Sequence, residues 1–157
     1  MWLIAEYEST TLYSLKPATA TSSGGKTLLA PTPYALKMAL LDVAIRLEGI
    51  NWGEEQWKTI RDLRIAFSPP SRATVTNLFT RILKPNRNPP PALGSSIGYR
   101  EYVYYPNAWG LAFSSGEEEP PDWLEGLVTR IHYLGKRGGF LQLCEMPRMA
   151  EELPEGF

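Results

Sequence analysis

The 157-residue chain predicts an α+β fold in which short strands alternate with two helices. Three observations carry that expectation. Four apolar runs of five to seven residues are built from strand-forming side chains. Two longer stretches repeat apolar residues at helical spacing. Between the second and third runs lie about forty residues broken by Pro85, Pro89, Pro90, Pro91, Gly94 and Gly98.

The first run, "WLIAEY" (2–7), reads as a buried strand. From Ser9 to Pro31 the chain is Thr, Ser, Ala, Gly and Lys without periodicity, so a long loop is expected, and loops of that length in small domains tend to be functional or disordered. Helix signals meet at Thr32: a threonine N-cap, Pro33 at the first helical position, and Gly49 past the end. Leu36, Leu40, Val43 and Leu47 fall on one face of that helix. "LRIAF" (63–67) gives the second strand, closed by Pro69 and Pro70, and "WGLAFSS" (109–115) the third. In the stretch between them, "ATVTNLFTRIL" and "YREYVYY" predict two strand arms of a projecting hairpin, with a short helix over "TNLFTRIL" as the competing reading. A second helix follows "EEEPPDW": Trp123, Leu124, Leu127, Val128 and Ile131 share a face, and Glu117 to Glu119 favour its positive end. "FLQLC" (140–144) is the fourth strand. "EMPRMAEELPEGF", polar and interrupted by prolines, reads as a tail.

The order β-α-β-(insertion)-β-α-β is the ferredoxin-like (RRM-like) split βαβ pattern, four antiparallel strands with two helices on one face. The other face is then expected to be free for a ligand or partner. The expected organisation is one domain over 1–145, with an insertion at 69–107 and a polar tail at 146–157.

Composition excludes several classes. A 43% hydrophobic and 21% charged chain is an ordinary soluble protein. It has no eighteen-residue apolar run, and "MWLIAEYEST" lacks a secretory signal, so no membrane partner and a cytoplasmic location are expected. Cys144 is alone and His132 is the only histidine, so no disulfide, metal site or other cofactor is expected. The net charge is only −1, but its distribution is uneven. Arg61, Arg64, Arg72, Arg81, Lys84, Arg87 and Arg100 face only Asp62 and Glu101 between positions 61 and 105. Local field decides what a surface attracts, and here it favours a polyanion; a solvated basic loop without a partner is the competing reading.

"SSGGKT" resembles a nucleotide-binding loop only superficially. The phosphate cradle requires a glycine where Ala20 stands, and a helix beginning at Thr27, which Pro31 and Pro33 prevent. What remains is a loop offering backbone amides, Ser22, Ser23 and Lys26 to an extended phosphate backbone. A second glycine-rich element, "YLGKRGG" (133–139), precedes the last strand and adds Lys136, Arg137 and Gly138.

These two loops on this order of elements resemble the RAMP superfamily of CRISPR-associated proteins. More narrowly, "SLKPATATSSGGKTLLAPTPYALKMALLDVAI" is similar to the opening of its Cas-five family, and the insertion at 69–107 is similar to that family's thumb. The resemblance implies a subunit that caps the 5′ handle of the CRISPR RNA (crRNA) in a type I interference complex (Cascade). Its partners would be the crRNA, the backbone and large subunits and, indirectly, target DNA. By the same resemblance Lys16, Ser22, Ser23, Lys26, Arg72, Arg100, Lys136, Arg137 and Gly138 would contact RNA. Tyr13, Tyr34 and Tyr99 are candidates to stack on bases. Some relatives cleave RNA without metal, for which only His132, Tyr133 and Lys136 are available here; a binding subunit rather than an enzyme is expected. A protein–protein adaptor without RNA contact is the third reading.

Overall fold

Eleven elements follow one another in the computed structural model, which describes residues 1–17, 24–85, 92–116, 119–135 and 138–157. The strands are β1 (Trp2–Ser9), β2 (Gly24–Gly25), β3 (Arg64–Ser68), β4 (Thr74–Pro85), β5 (Leu93–Tyr104), β6 (Trp109–Ser114), β7 (Leu141–Leu143) and β8 (Arg148–Ala150). The helices are α1 (Pro33–Glu48), α2 (Ile50–Asp62) and α3 (Asp122–Val128). The main sheet is antiparallel in the order β3-β6-β1-β7, and β8 also pairs with β1.

Alternation along β1 sends Leu3, Ala5 and Tyr7 to one face, opposite Phe113, Leu111 and Trp109 of β6. There they form one core with Leu36, Leu40, Val43 and Ala44 of α1 and Leu124, Leu127 and Val128 of α3. Each fully buried aliphatic side chain in such a core contributes about 1.5–3 kcal/mol relative to exposure. The Tyr7 hydroxyl donates to the Val128 carbonyl at 2.7 Å, which ties the central strand to the end of α3.

The N-terminus of α1 follows its sequence signals: Thr32 Oγ1 accepts from the Ala35 amide at 3.1 Å and Pro33 opens the first turn. Its end is more than a stop. Gly49, at φ 93°, donates to the Ile45 carbonyl and at once begins α2, a helix the sequence reading did not anticipate. The two helices approach closely at Gly53, where a Cβ would stand 2.7 Å from Ile45. Leu47 departs from expectation. It is 45% exposed, while Ala44 joins the buried face. α3 stops at Val128, one turn short of Ile131, which is nevertheless buried.

Two further expectations are corrected. The second face of the main sheet is not open: Ile4, Gly110, Ala112 and Ser114 are all buried. The C-terminal residues are not a free polar tail. β8 pairs with Trp2 to Ile4, and the Phe157 ring lies where a Cβ on Gly110 would be only 2.6 Å away. A three-residue strand between prolines carries too little pattern to be legible.

The insertion forms a hairpin. β4 and β5 pair antiparallel from Thr74↔Tyr104 to Pro85↔Leu93, which settles the region in favour of strands over a helix. β2 adds to it in parallel, Gly24↔Tyr99 and Gly25↔Arg100.

Candidate nucleic-acid interface

The short segment after β1 organises the site. Tyr13 exchanges two backbone hydrogen bonds with Val103 at 2.9 and 2.8 Å, fixing it to the base of the hairpin. Two residues on, the Leu15 amide donates to Thr27 Oγ1 at 2.9 Å and the Leu15 carbonyl accepts from Leu28 at 2.8 Å. The Thr27 amide donates in turn to Glu101 Oε2 at 3.1 Å. The return of the first glycine loop is thus held on Leu15 and on β5.

The second glycine loop meets the same segment. Gly135 has φ 69°, and a Cβ there would stand 2.6 Å from Leu15 Cδ2 and 3.3 Å from the Ser14 carbonyl. At Gly139 a Cβ would meet the Leu134 carbonyl at 3.0 Å and Tyr13 Cβ at 3.1 Å. Thr11 Oγ1 donates to the Gly138 carbonyl at 2.6 Å and accepts from the Phe140 amide at 2.7 Å. Gly135 and Gly139 allow this approach because they lack side chains, and Thr27 and Leu28 bring the return of the first loop to the same segment, so both elements converge on residues 11–15.

The convergence leaves a groove of about 500 Å³. Lys16, Tyr34, Met38, Arg100, Tyr133 and Gly135 are among its walls. Asp42 and Tyr133 also line an adjoining cleft of about 270 Å³, with Arg46, His132 and Phe140. Along α1 the lining residues Tyr34, Met38, Asp42 and Arg46 recur every fourth position, so one stripe of the helix runs the length of both. Among the described residues neither Lys16, Lys26 nor Arg100 is in an ion pair, whereas Asp42 and Arg46 are paired at 2.9 Å. The groove therefore presents uncompensated cations beside an exposed aromatic ring, Tyr34 being 71% exposed. Phosphates and stacked bases need those two features.

Of the residues expected to contact RNA, Lys16 and Arg100 come together in this groove. Lys26 is exposed immediately after β2, and Gly138 is exposed at φ 104° in the second loop. Arg72 is exposed between β3 and β4 and is not among the groove residues. Ser22, Ser23, Lys136 and Arg137 lie outside the described residues.

The three tyrosines separate by environment. Tyr13 is a core residue, 7% exposed, with its hydroxyl donating to the Leu29 carbonyl at 2.6 Å, which overturns its assignment as a stacking residue. Burial beside Tyr105 pushes its pKa far up. Tyr99 stands on the hairpin 5.0 Å from the Phe79 ring, and Tyr34 faces the groove. His132 lies beyond the end of α3 and is exposed, its Nδ1 3.2 Å from the Arg130 carbonyl and its ring against Tyr133. It does not cap α3, whose C-cap is Thr129.

Sequence reasoning missed Met38, Asp42 and the anchoring role of Glu101. The four-residue spacing from Tyr34 to Arg46 was the available signal for the first two; nothing local marks Glu101, whose partner is 74 positions away.

No family model matches the chain. A curated protein, CRISPR-associated protein Cas5 of Archaeoglobus fulgidus, is 32% identical over 80 residues, 49% of this chain and 35% of that protein. The chain thus spans about a third of the curated relative's length. Among solved structures, a chain of the Type III-B Cmr-beta complex bound to cognate target RNA superposes with a TM-score of 0.58 at 11% identity, covering 92% of this chain and 58% of that one. A CRISPR protein from Archaeoglobus fulgidus superposes with a TM-score of 0.55 at 14% identity, covering 92% and 62%. The likenesses in sequence and in fold agree: part of the chain is similar in sequence to a CRISPR-associated protein Cas5, and its fold is similar to those of two CRISPR-associated protein chains.

Proposed function

We propose that the chain is a non-catalytic, RNA-binding subunit of a cytoplasmic type I CRISPR interference complex, and that it holds the 5′ handle of the crRNA. The observation that carries this reading is the convergence of both glycine-rich loops on residues 11–15, beside the cations Lys16 and Arg100. Lys16, Lys26 and Arg100 would neutralise phosphates, and Tyr34 would stack on a splayed base. Ser22, Ser23, Lys136, Arg137 and Gly138 would complete the clasp from the two loops, and Arg72 would touch the strand where it leaves along the hairpin. The sheet order β3-β6-β1-β7, all antiparallel, supports the ferredoxin-like arrangement over 1–145. The hairpin would be the thumb that meets the backbone subunit. Its exposed Phe79, Leu83, Leu93 and Ile97 suit a protein contact better than water. The large subunit would be the other neighbour, and target DNA would be met through the guide.

The test is the salt dependence of binding to a labelled single-stranded repeat RNA. Lys16→Glu with Arg100→Glu is expected to weaken binding and to lower the log–log salt slope by about one per lost phosphate contact. A slope equal to wild type would remove this groove from the RNA path. The cleavage reading predicts instead that the protein cuts repeat RNA in the presence of chelator and that His132→Ala stops it.

A further inference from the structure

About 20 Å along α1 from Tyr34, at 1.5 Å per residue, the helical layer carries a different cleft. Leu47 and Glu48 at the end of α1, Trp52 of α2, and Trp123, Gly126 and Leu127 of α3 line about 250 Å³. We infer that this cleft is the docking site of a partner protein's amphipathic helix, one that presents an apolar anchor flanked by lysine or arginine. The inference goes beyond the RNA reading and does not rest on it.

Three observations support it independently. The first is apolar exposure: Leu47 is 45% exposed beside Trp52 and Trp123, whose rings meet edge-to-face at 5.4 Å. Paired indoles next to an exposed leucine form the kind of pocket in which one side chain carries much of a binding energy.

The second is charge. Glu48 lines the cleft, and Glu119, Asp122 and Glu125 are exposed on α3 and the segment leading into it. Arg130 is the one lining cation; it donates from Nη1 to the Gly126 carbonyl at 2.9 Å and keeps its charge, so the acidic excess comes from the exposed carboxylates around α3. Such a rim repels a polyanion and attracts a basic segment, so the occupant is a protein and not a second stretch of RNA.

The third is Gly126. It sits in the middle of a seven-residue helix, where glycine is unfavourable relative to alanine. Its φ is not positive, and a Cβ would meet only Arg130 Nη1 at an ordinary 3.7 Å. Neither the backbone nor the packing of the free chain requires a glycine here. A glycine at this position leaves room for another molecule's backbone to approach closely.

The probe is a fluorescein-labelled synthetic peptide with leucine and lysine at helical spacing, its anisotropy read on titration with the full chain. A peptide of the same composition in scrambled order and a labelled oligouridylate serve as the other arms. Saturable binding of the amphipathic peptide alone is expected. Gly126→Ala is expected to raise the thermal midpoint of the free protein yet to weaken the peptide about tenfold. Glu48→Gln with Asp122→Asn is expected to weaken it without moving the midpoint. Absence of binding, equal binding of the scrambled peptide, competition by the oligouridylate at this cleft, or full affinity in the stabilised Gly126→Ala protein would each overturn the inference.

Discussion

Gly135 shows how one residue sets the geometry of the groove. Its φ of 69° and the 2.6 Å gap to Leu15 Cδ2 exclude any side chain without displacement of that leucine. Gly135→Ala should therefore destabilise the protein by about 1–3 kcal/mol, read as a lower denaturant midpoint; an unchanged midpoint would mean that the two segments do not press together there. The glycines of "YLGKRGG" were legible as places of close backbone approach. Their partners were not, because Leu15 and Tyr13 lie more than a hundred positions away. Tyr13 was misread for a related reason. In a run of Ser, Thr and Lys a tyrosine looks exposed, and only the bridge to Val103 buries it.

At the scale of elements, the strongest local signals matched what forms. Thr32 caps α1 as its position demands, and Thr32→Ala should cost about 1 kcal/mol of stability without altering the sheet, measurable by chemical denaturation with unchanged far-ultraviolet circular dichroism. The hairpin was readable because two β-prone arms flank prolines. α2 was hidden by the glycine that makes it possible: Gly49 reads as a stop, and at φ 93° it also serves as a hinge between two helices. β2 and β8, of two and three residues, fall below the length at which alternation means anything. Their existence is decided by β5 and β1, which offer edges to pair with.

Across the whole molecule the consequence is a division of surfaces. Lys16 and Arg100 meet in the groove, with Lys26 exposed just after β2, while Glu48 lines the cleft at the far end of α1 and Asp122 and Glu125 are exposed on α3. The total charge of −1 conceals that separation, and of the described residues in the basic run from Arg61 to Arg100 only Arg100 lines the groove. Burial also gives the fold a definite response to alkali. Tyr7, Tyr13 and Tyr105 are held neutral by desolvation, with pKa values above the ordinary tyrosine value. A group whose pKa is raised on folding contributes its full stability below its unfolded pKa and loses it as pH rises. Stability should thus be independent of these groups below about pH 10 and fall steadily above it. Tyr7→Phe should flatten that fall, and a stability that stays level to strongly alkaline pH would contradict the burial of these rings.

The central claim is that residues 11–15 bring two glycine-rich loops to one groove for a single RNA strand. Photocrosslinking the assembled protein to a repeat-derived RNA carrying 4-thiouridine, with the sites mapped by mass spectrometry, tests it most directly. Crosslinks are predicted at Lys16, Lys26, Tyr34, Arg100 and the 133–139 stretch. Crosslinks gathered instead about Trp52 and Trp123, or on only one of the two loops, would contradict it.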